Sequence, residues 1–296
     1  IAFEAAGFKN AIICKYPPTK EEDPNWTPED ARYSVIRYYA SDIQNAYGPH
    51  TADPRTGEIL ESDIGWYHNI MNLLRNWYLI QTSAVNEDSR DVKFEDEVMG
   101  ELMRFVSAHE VGHTIGLQHN MGSSSAYPVD SLRSPTFTST RGVAPSIMDY
   151  ARFNYVAQPG DNVSNFYPMI GKYDIWAVKW GYTYFDGEST ISEQKILNDW
   201  IKGHAGDYEY WFGYSNGIDP RSQTESIGDD NMKASLYGLK NLKRIMPNLL
   251  KWSYDEGKNY DDLKELYLNI YSQFRRYIGH VSTNVGGIFE DLKSND

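Results

Sequence analysis

Apolar residues recur along this chain with two periods, and the change from one to the other places the elements. Tyr33–Tyr39 (Tyr-Ser-Val-Ile-Arg-Tyr-Tyr) is β-branched and aromatic and predicts a strand. Leu60, Ser62, Ile64 and Trp66 alternate on one face of another. Asp53-Pro54 and Gly57 between them carry turn chemistry, which predicts a hairpin with an outer edge strand. Ala11–Tyr16, a short apolar run stopped by Pro17-Pro18, predicts a buried strand with Cys14 as a small buried hydrophobe. Ahead of it, Ile1–Asn10 reads as the end of a helix closed by Gly7.

Helical spacing takes over at Ile70–Gln81, through Ile70, Leu73, Leu74, Trp77 and Ile80. It returns from Glu97 to Ile115, where Val98, Leu102, Phe105, Val106, His109 and His113 follow three- and four-residue steps. Gly122–Arg141, rich in Ser, Thr and Pro, is expected to be a loop lining a cleft. Further helices are predicted at Lys172–Trp180, ending at Gly181, and from a Thr190/Glu193 capping box to about Ile201. Asp230–Met246 sets Met232, Leu236, Leu239, Leu242 and Ile245 on one face before Pro247. Asp261–Ile278 carries Leu263, Leu266, Ile270, Phe274 and Tyr277 and is closed by Gly279. The acidic run Glu225–Asp230 lacks the spacing of a calcium loop and is expected to cap the helix after it. Strands first and helices afterwards give an α+β class. We expect a sheet-and-helix part at 1–119 and a mainly helical part at 120–296, with a cleft between them.

Composition narrows the partners. The chain has 296 residues, 41% of them hydrophobic, enough to fill a sizeable core. A net charge of −13 disfavours nucleic acid. No apolar run approaches a membrane span. The single cysteine forbids an internal disulfide and leaves the compartment open. The chain begins at Ile1 without a signal peptide, which suggests a processed or excised part of something longer. The 23 Tyr, 8 Trp and 11 Phe call for no reading beyond packing.

The chemistry is concentrated in His109-Glu-Val-Gly-His-Thr-Ile-Gly-Leu-Gln-His119. His109 and His113 leave one face of a helix a turn apart, as two ligands of one zinc ion must. Gly116 can break the helix, so that the chain turns and returns His119 as a third ligand. Three protein ligands leave a position open for water, the mark of a catalytic zinc. Glu110 stands beside the metal as general base.

With Ser146-Ile-Met-Asp-Tyr150 downstream, the pattern resembles the metzincin clan of zinc metallopeptidases. The resemblance implies a metzincin-like fold with zinc as its cofactor. It implies Met148 packed beneath the site and Tyr150 as a labile ligand whose hydroxyl stabilises the oxyanion. It also implies an edge strand that receives an extended peptide. Asp53-Pro-Arg-Thr-Gly-Glu-Ile59, Pro145–Tyr150 and Gly171-Lys-Tyr-Asp-Ile-Trp176 narrow it to a bacterial family of exported metzincins first described as domains of unknown function. An extracytoplasmic location is the corresponding expectation. The leading reading is a zinc endopeptidase acting on proteins or peptides. The alternatives are a catalytically idle peptide- or glycan-binding module, and a hydrolase of short peptides or other amides. His50 and His68 are expected to be surface or packed histidines, and His204 and His280 to sit at helix C-termini where positive charge is welcome.

Overall fold

A computed structural model describes residues 1–214 and 217–291. The sheet has β5 (Asp63–Tyr67) at its centre, β1 (Val35–Tyr39) parallel on one side and β2 (Ala46–Tyr47) antiparallel on the other. Its central place explains why Ile64, Gly65 and Trp66 are all buried, where alternation predicts every second residue. β3 (Thr51–Ala52) and β4 (Ile59–Glu61) form a separate hairpin. It closes as expected: Asp53 accepts the Arg55 N–H at 2.9 Å, and Gly57 takes φ +78°. The edge strand over the motif helix is therefore β2, not the hairpin. Gly48, just after β2, packs against the Glu110 carbonyl so closely that a Cβ would not fit.

The N-terminal expectation is half met. A short helix α1 (Ala2–Ala5) does end near Gly7 in the left-handed region. Ala11–Tyr16, however, forms no strand, and Cys14 is exposed. Among the described residues this run pairs with no strand, and β-propensity without a paired backbone does not make a strand.

Helix α2 (Ile70–Thr82) stands between two cores. One face meets the sheet side through Ile70, Leu74 and Tyr78, packed with Leu102, Phe105, Met148 and Phe153. Leu79 and Ile80 meet the helical side, with Tyr155, Ile245, Ile270 and Tyr277. The motif helix is α3 (Asp96–Thr114). Residues 122–141 fold inward through short 3-10 turns and α4 (Pro135–Arg141) rather than lining a cleft. Tyr127, Val129 and Leu132 are buried there, and Ser124 is satisfied by the Ser226 carbonyl at 2.7 Å.

The remaining helices are α5 (Lys172–Tyr182), α6 (Thr190–Gly203), α7 (Asn231–Ile245), α8 (Leu249–Trp252) and α9 (Asp261–Ser282). The capping box of α6 is Ser189 with Ser192, one register earlier than Thr190/Glu193. Asp230 caps α7 as expected, accepting from Met232 and Lys233.

The buried face of α7 is rotated from the predicted stripe. Ala234, Ser235, Gly238, Asn241, Leu242 and Ile245 face inward, and Met232 and Leu236 are each 53% exposed. Close approach to α9 sets this choice, because a Cβ at Gly238 would overlap the Tyr277 ring. Asn241 is tolerated inside because its amide donates to the Tyr155 and Ala157 carbonyls at 2.9 and 2.8 Å. On α9 the helix runs through Gly279, Phe274 is exposed, and His280 is buried. Among the described residues, no helix is long and apolar enough to cross a membrane.

Candidate metal centre

Helix α3 ends where the motif requires. Gly116, at φ +89°, lets Leu117 N–H bond the Gly112 carbonyl and Gly116 N–H bond that of His113, both at 3.0 Å. This turn swings His119 back over the helix. His109, His113 and His119 then present one ring nitrogen each, all within 4.8 Å of one another. His113 Nε2 and His119 Nε2 are 3.0 Å apart. A tetrahedral ion with bonds of about 2.0–2.1 Å spaces its ligand atoms roughly 3.3–3.4 Å apart, between these two values.

Backbone carbonyls fix how two of the rings face. His109 Nδ1 donates to Ile147 O at 2.8 Å, and His113 Nδ1 donates to Leu117 O at 2.9 Å. Each bond assigns the proton to Nδ1 and leaves the Nε2 lone pair for the site. His109 Nε2 is buried and has no hydrogen-bond partner. A buried, unpartnered lone pair aimed at two others is costly alone and is satisfied by a cation. Burial also keeps the rings neutral, lowering His109 to about 3 and His119 to about 4 and depressing His113 as well. Neutral imidazole is the form that binds metal. The residues present therefore fit a zinc ion.

Glu110 is buried next to the cluster, and burial raises its carboxyl to about 7, with Arg152 opposing. Tyr150 covers the other side. Its ring centroid is 4.4 Å from that of His119 and 5.2 Å from that of His109. Burial raises its phenol. Met148 is fully buried beneath, and its sulfur fills the space a Cβ at Gly112 would need.

The turn carrying Met148 is held from α5. Asp174 accepts from Ser146 Oγ at 2.6 Å, from Ile147 N–H at 2.8 Å and from Gly171 N–H at 2.8 Å. Since the Ile147 carbonyl orients His109, Asp174 acts on the cluster through one residue. Asp149 is tied to Ser124 N–H at 2.7 Å.

His109, Glu110, His113, His119, Met148 and Tyr150 thus meet in one place. The other histidines do not join them. His50 Nδ1 bonds the His113 carbonyl at 3.0 Å from outside the cluster, and His68 bonds Tyr38. His204 caps α6 and stacks on Tyr210, with ring centroids 3.8 Å apart. His280 lies in the last turn of α9 as expected, but it is buried, and desolvation lowers it to about 4, against the positive charge expected there. A cavity of about 2700 Å³ opens behind the 115–118 turn, bordered by His50, Ile59, Trp176 and Tyr182, but none of the three cluster histidines lines it.

The sequence assigns no role to Gly112, Asp174 or Arg152, and places Glu225 only in an acidic capping run, of which Asp230 alone caps α7. Gly112 was visible as the small residue between two histidines, and Asp174 as the third residue after a helix-opening glycine. Nothing local marked Arg152, and nothing marked Glu225 as its partner.

No curated protein and no solved structure matches the chain. The Met-zincin family profile matches residues 91–296, which include the whole histidine cluster, the methionine turn and the helices behind them. The chain therefore belongs to the Met-zincin family, with that family's α+β, metallopeptidase-like fold.

Proposed function

We propose that the protein is a zinc-dependent endopeptidase, with His109, His113 and His119 as the ligands and Glu110 as the general base. One observation carries this reading: three neutral histidine nitrogens converge, one of them buried without a partner, with Glu110 and Tyr150 flanking them. When bound in such a site, zinc supplies Lewis acidity that polarises a carbonyl and brings the pKa of water to about 7. Glu110 takes the proton of the attacking water and returns it to the leaving amine. The Tyr150 hydroxyl donates to the developing oxyanion. Met148 packs below without ligating.

The sheet offers a track for the substrate. β2 is an edge whose end rests on the α3 backbone at Glu110, so an extended peptide added to it runs beside the base. We take residues 1–119 and 120–296 as the two sides of the cleft. The idle-module reading would leave the buried Glu110 carboxyl without a use.

The test is peptide cleavage before and after metal removal. Chelation is expected to abolish turnover and stoichiometric zinc to restore it. Cleavage that survives complete removal of the metal contradicts the proposal.

A further inference from the structure

The Tyr150 ring is braced by a cation as well as by the histidines. The Arg152 guanidinium lies between two rings, 4.3 Å from the Tyr150 centroid and 3.8 Å from that of Trp77 on α2. Its Nε makes no hydrogen bond and sits 3.8 Å from Glu225 Oε1. Glu225 is almost wholly buried, and its backbone N–H donates to the Tyr150 carbonyl at 2.9 Å. The same residue that faces the Arg152 charge thus also holds the Tyr150 main chain.

The pair is fastened from three more directions. Gln81 of α2 donates to Glu225 Oε2 at 3.2 Å and accepts the Phe153 N–H at 2.9 Å. Arg276 of α9 places its Nε 3.4 Å from Glu225 Oε2. His280 of α9 donates to the Thr224 carbonyl at 2.9 Å. Arg152 and Glu225 also sit in the left-handed backbone region, at φ +57° and +62°. Neither is glycine, asparagine or aspartate, so both conformations are strained and must be imposed by their surroundings. Strain at two residues that meet beside a candidate site is an observation that asks for a role.

We propose that Arg152, fixed by Glu225, is a positioning residue that sets where the Tyr150 ring stands beside the histidine cluster, and that α9 and the 219–230 loop act on the site through this pair. A guanidinium stacked on an aromatic face is attracted by the ring quadrupole and defines the plane in which the ring lies. A lysine would keep the charge but lose the planar contact. The arrangement gives the helical half of the molecule a connection to the chemistry.

The experiment places 3-fluorotyrosine at position 150 of the zinc-bound protein and records its fluorine spectrum together with peptide kinetics. Wild type is expected to give one sharp resonance. Arg152→Lys is expected to shift and broaden it, and to lower kcat on the order of 10²-fold with KM little changed, as a misplaced group does. Adding Arg152→Lys to Tyr150→Phe is expected to cost nothing further. Should Arg152→Lys not fold, the double variant Arg152→Gln/Glu225→Gln, which leaves no stranded charge inside, carries the same measurement. An unchanged resonance in the folded variant overturns the proposal, as does a kcat loss that multiplies with that of Tyr150→Phe. The kinetic arm rests on the peptidase reading and the fluorine arm does not. A wild type that cleaves nothing therefore removes that reading and leaves the clamp to be decided by the spectra.

Discussion

The two halves of the candidate metal centre are built differently. The ligand half is local: His109, Glu110, His113 and His119 come from one helix and the turn after it, and spacing alone aligns them. The supporting half is assembled from afar. Met148 and Tyr150 are held by Asp174 of α5, by Arg152 against Trp77 of α2, and by Glu225, which α9 braces in turn. The histidine half is brought together by a helix and its turn and takes one long-range bond, His109 to the Ile147 carbonyl, whereas the supporting half needs the whole fold in place. Damage to either half is therefore expected to look different. Loss of a ligand or the base removes chemistry and spares the fold, and loss of a support costs stability and geometry together.

The sharpest break of that comparison among the supports is Asp174→Ala. It strands three donors, Ser146 Oγ and the N–H groups of Ile147 and Gly171. We expect a loss of about 3–5 kcal/mol in denaturant unfolding. Zinc affinity is expected to weaken roughly 10–100-fold, because the Ile147 carbonyl that orients His109 is released. Normal zinc affinity in a folded variant would mean that the two halves are not coupled. Gly112→Ala probes the seam itself, since the new methyl overlaps the Met148 sulfur. Overpacking of this kind costs up to about 3 kcal/mol, read from the unfolding midpoint. An unchanged midpoint would show that the methionine turn gives way freely.

A smaller effect tests the outer brace. Burial holds His280 down at about 4, helped by the Arg276 charge and opposed by its hydrogen bond to the Thr224 carbonyl. The unfolded value is near 6.5, so between the two the unfolded chain binds more protons. The stabilisation is complete above about pH 6.5 and is lost as pH falls through about 4, with about 2 kcal/mol of it gone by pH 5. Wild type should therefore lose more thermal stability between pH 6.5 and 4 than His280→Gln. Parallel curves would remove His280 from the account.

The same division decided what was legible in the sequence. Period and spacing gave α2, α3, the Asp53–Gly57 turn, the convergence of the three histidines and the Asp230 cap, because each depends on neighbours within a few residues. The errors fell where distant contacts rule. Ala11–Tyr16 has strand composition but pairs with no strand among the described residues. The inward face of α7 follows small and polar residues, Gly238 against Tyr277 and Asn241 under two carbonyls, so the apolar stripe through Met232 and Leu236 points outward. Residues 122–141 have loop composition yet lie inside, because Asp149 and the Ser226 carbonyl satisfy their serines. The acidic run at Glu225 read only as a helix cap, and its pairing with Arg152 had no local signature, since it spans more than seventy residues and shows only in three dimensions.

The central claim is that the histidine cluster holds zinc and Glu110 does the proton transfer. Its most direct test is metal analysis together with cleavage of a peptide mixture, for wild type and Glu110→Gln. We expect stoichiometric zinc in both proteins, cleavage at internal bonds by wild type, and a rate about 10²–10⁴-fold lower in the variant. A Glu110→Gln protein that retains zinc and cleaves at the wild-type rate would contradict the account.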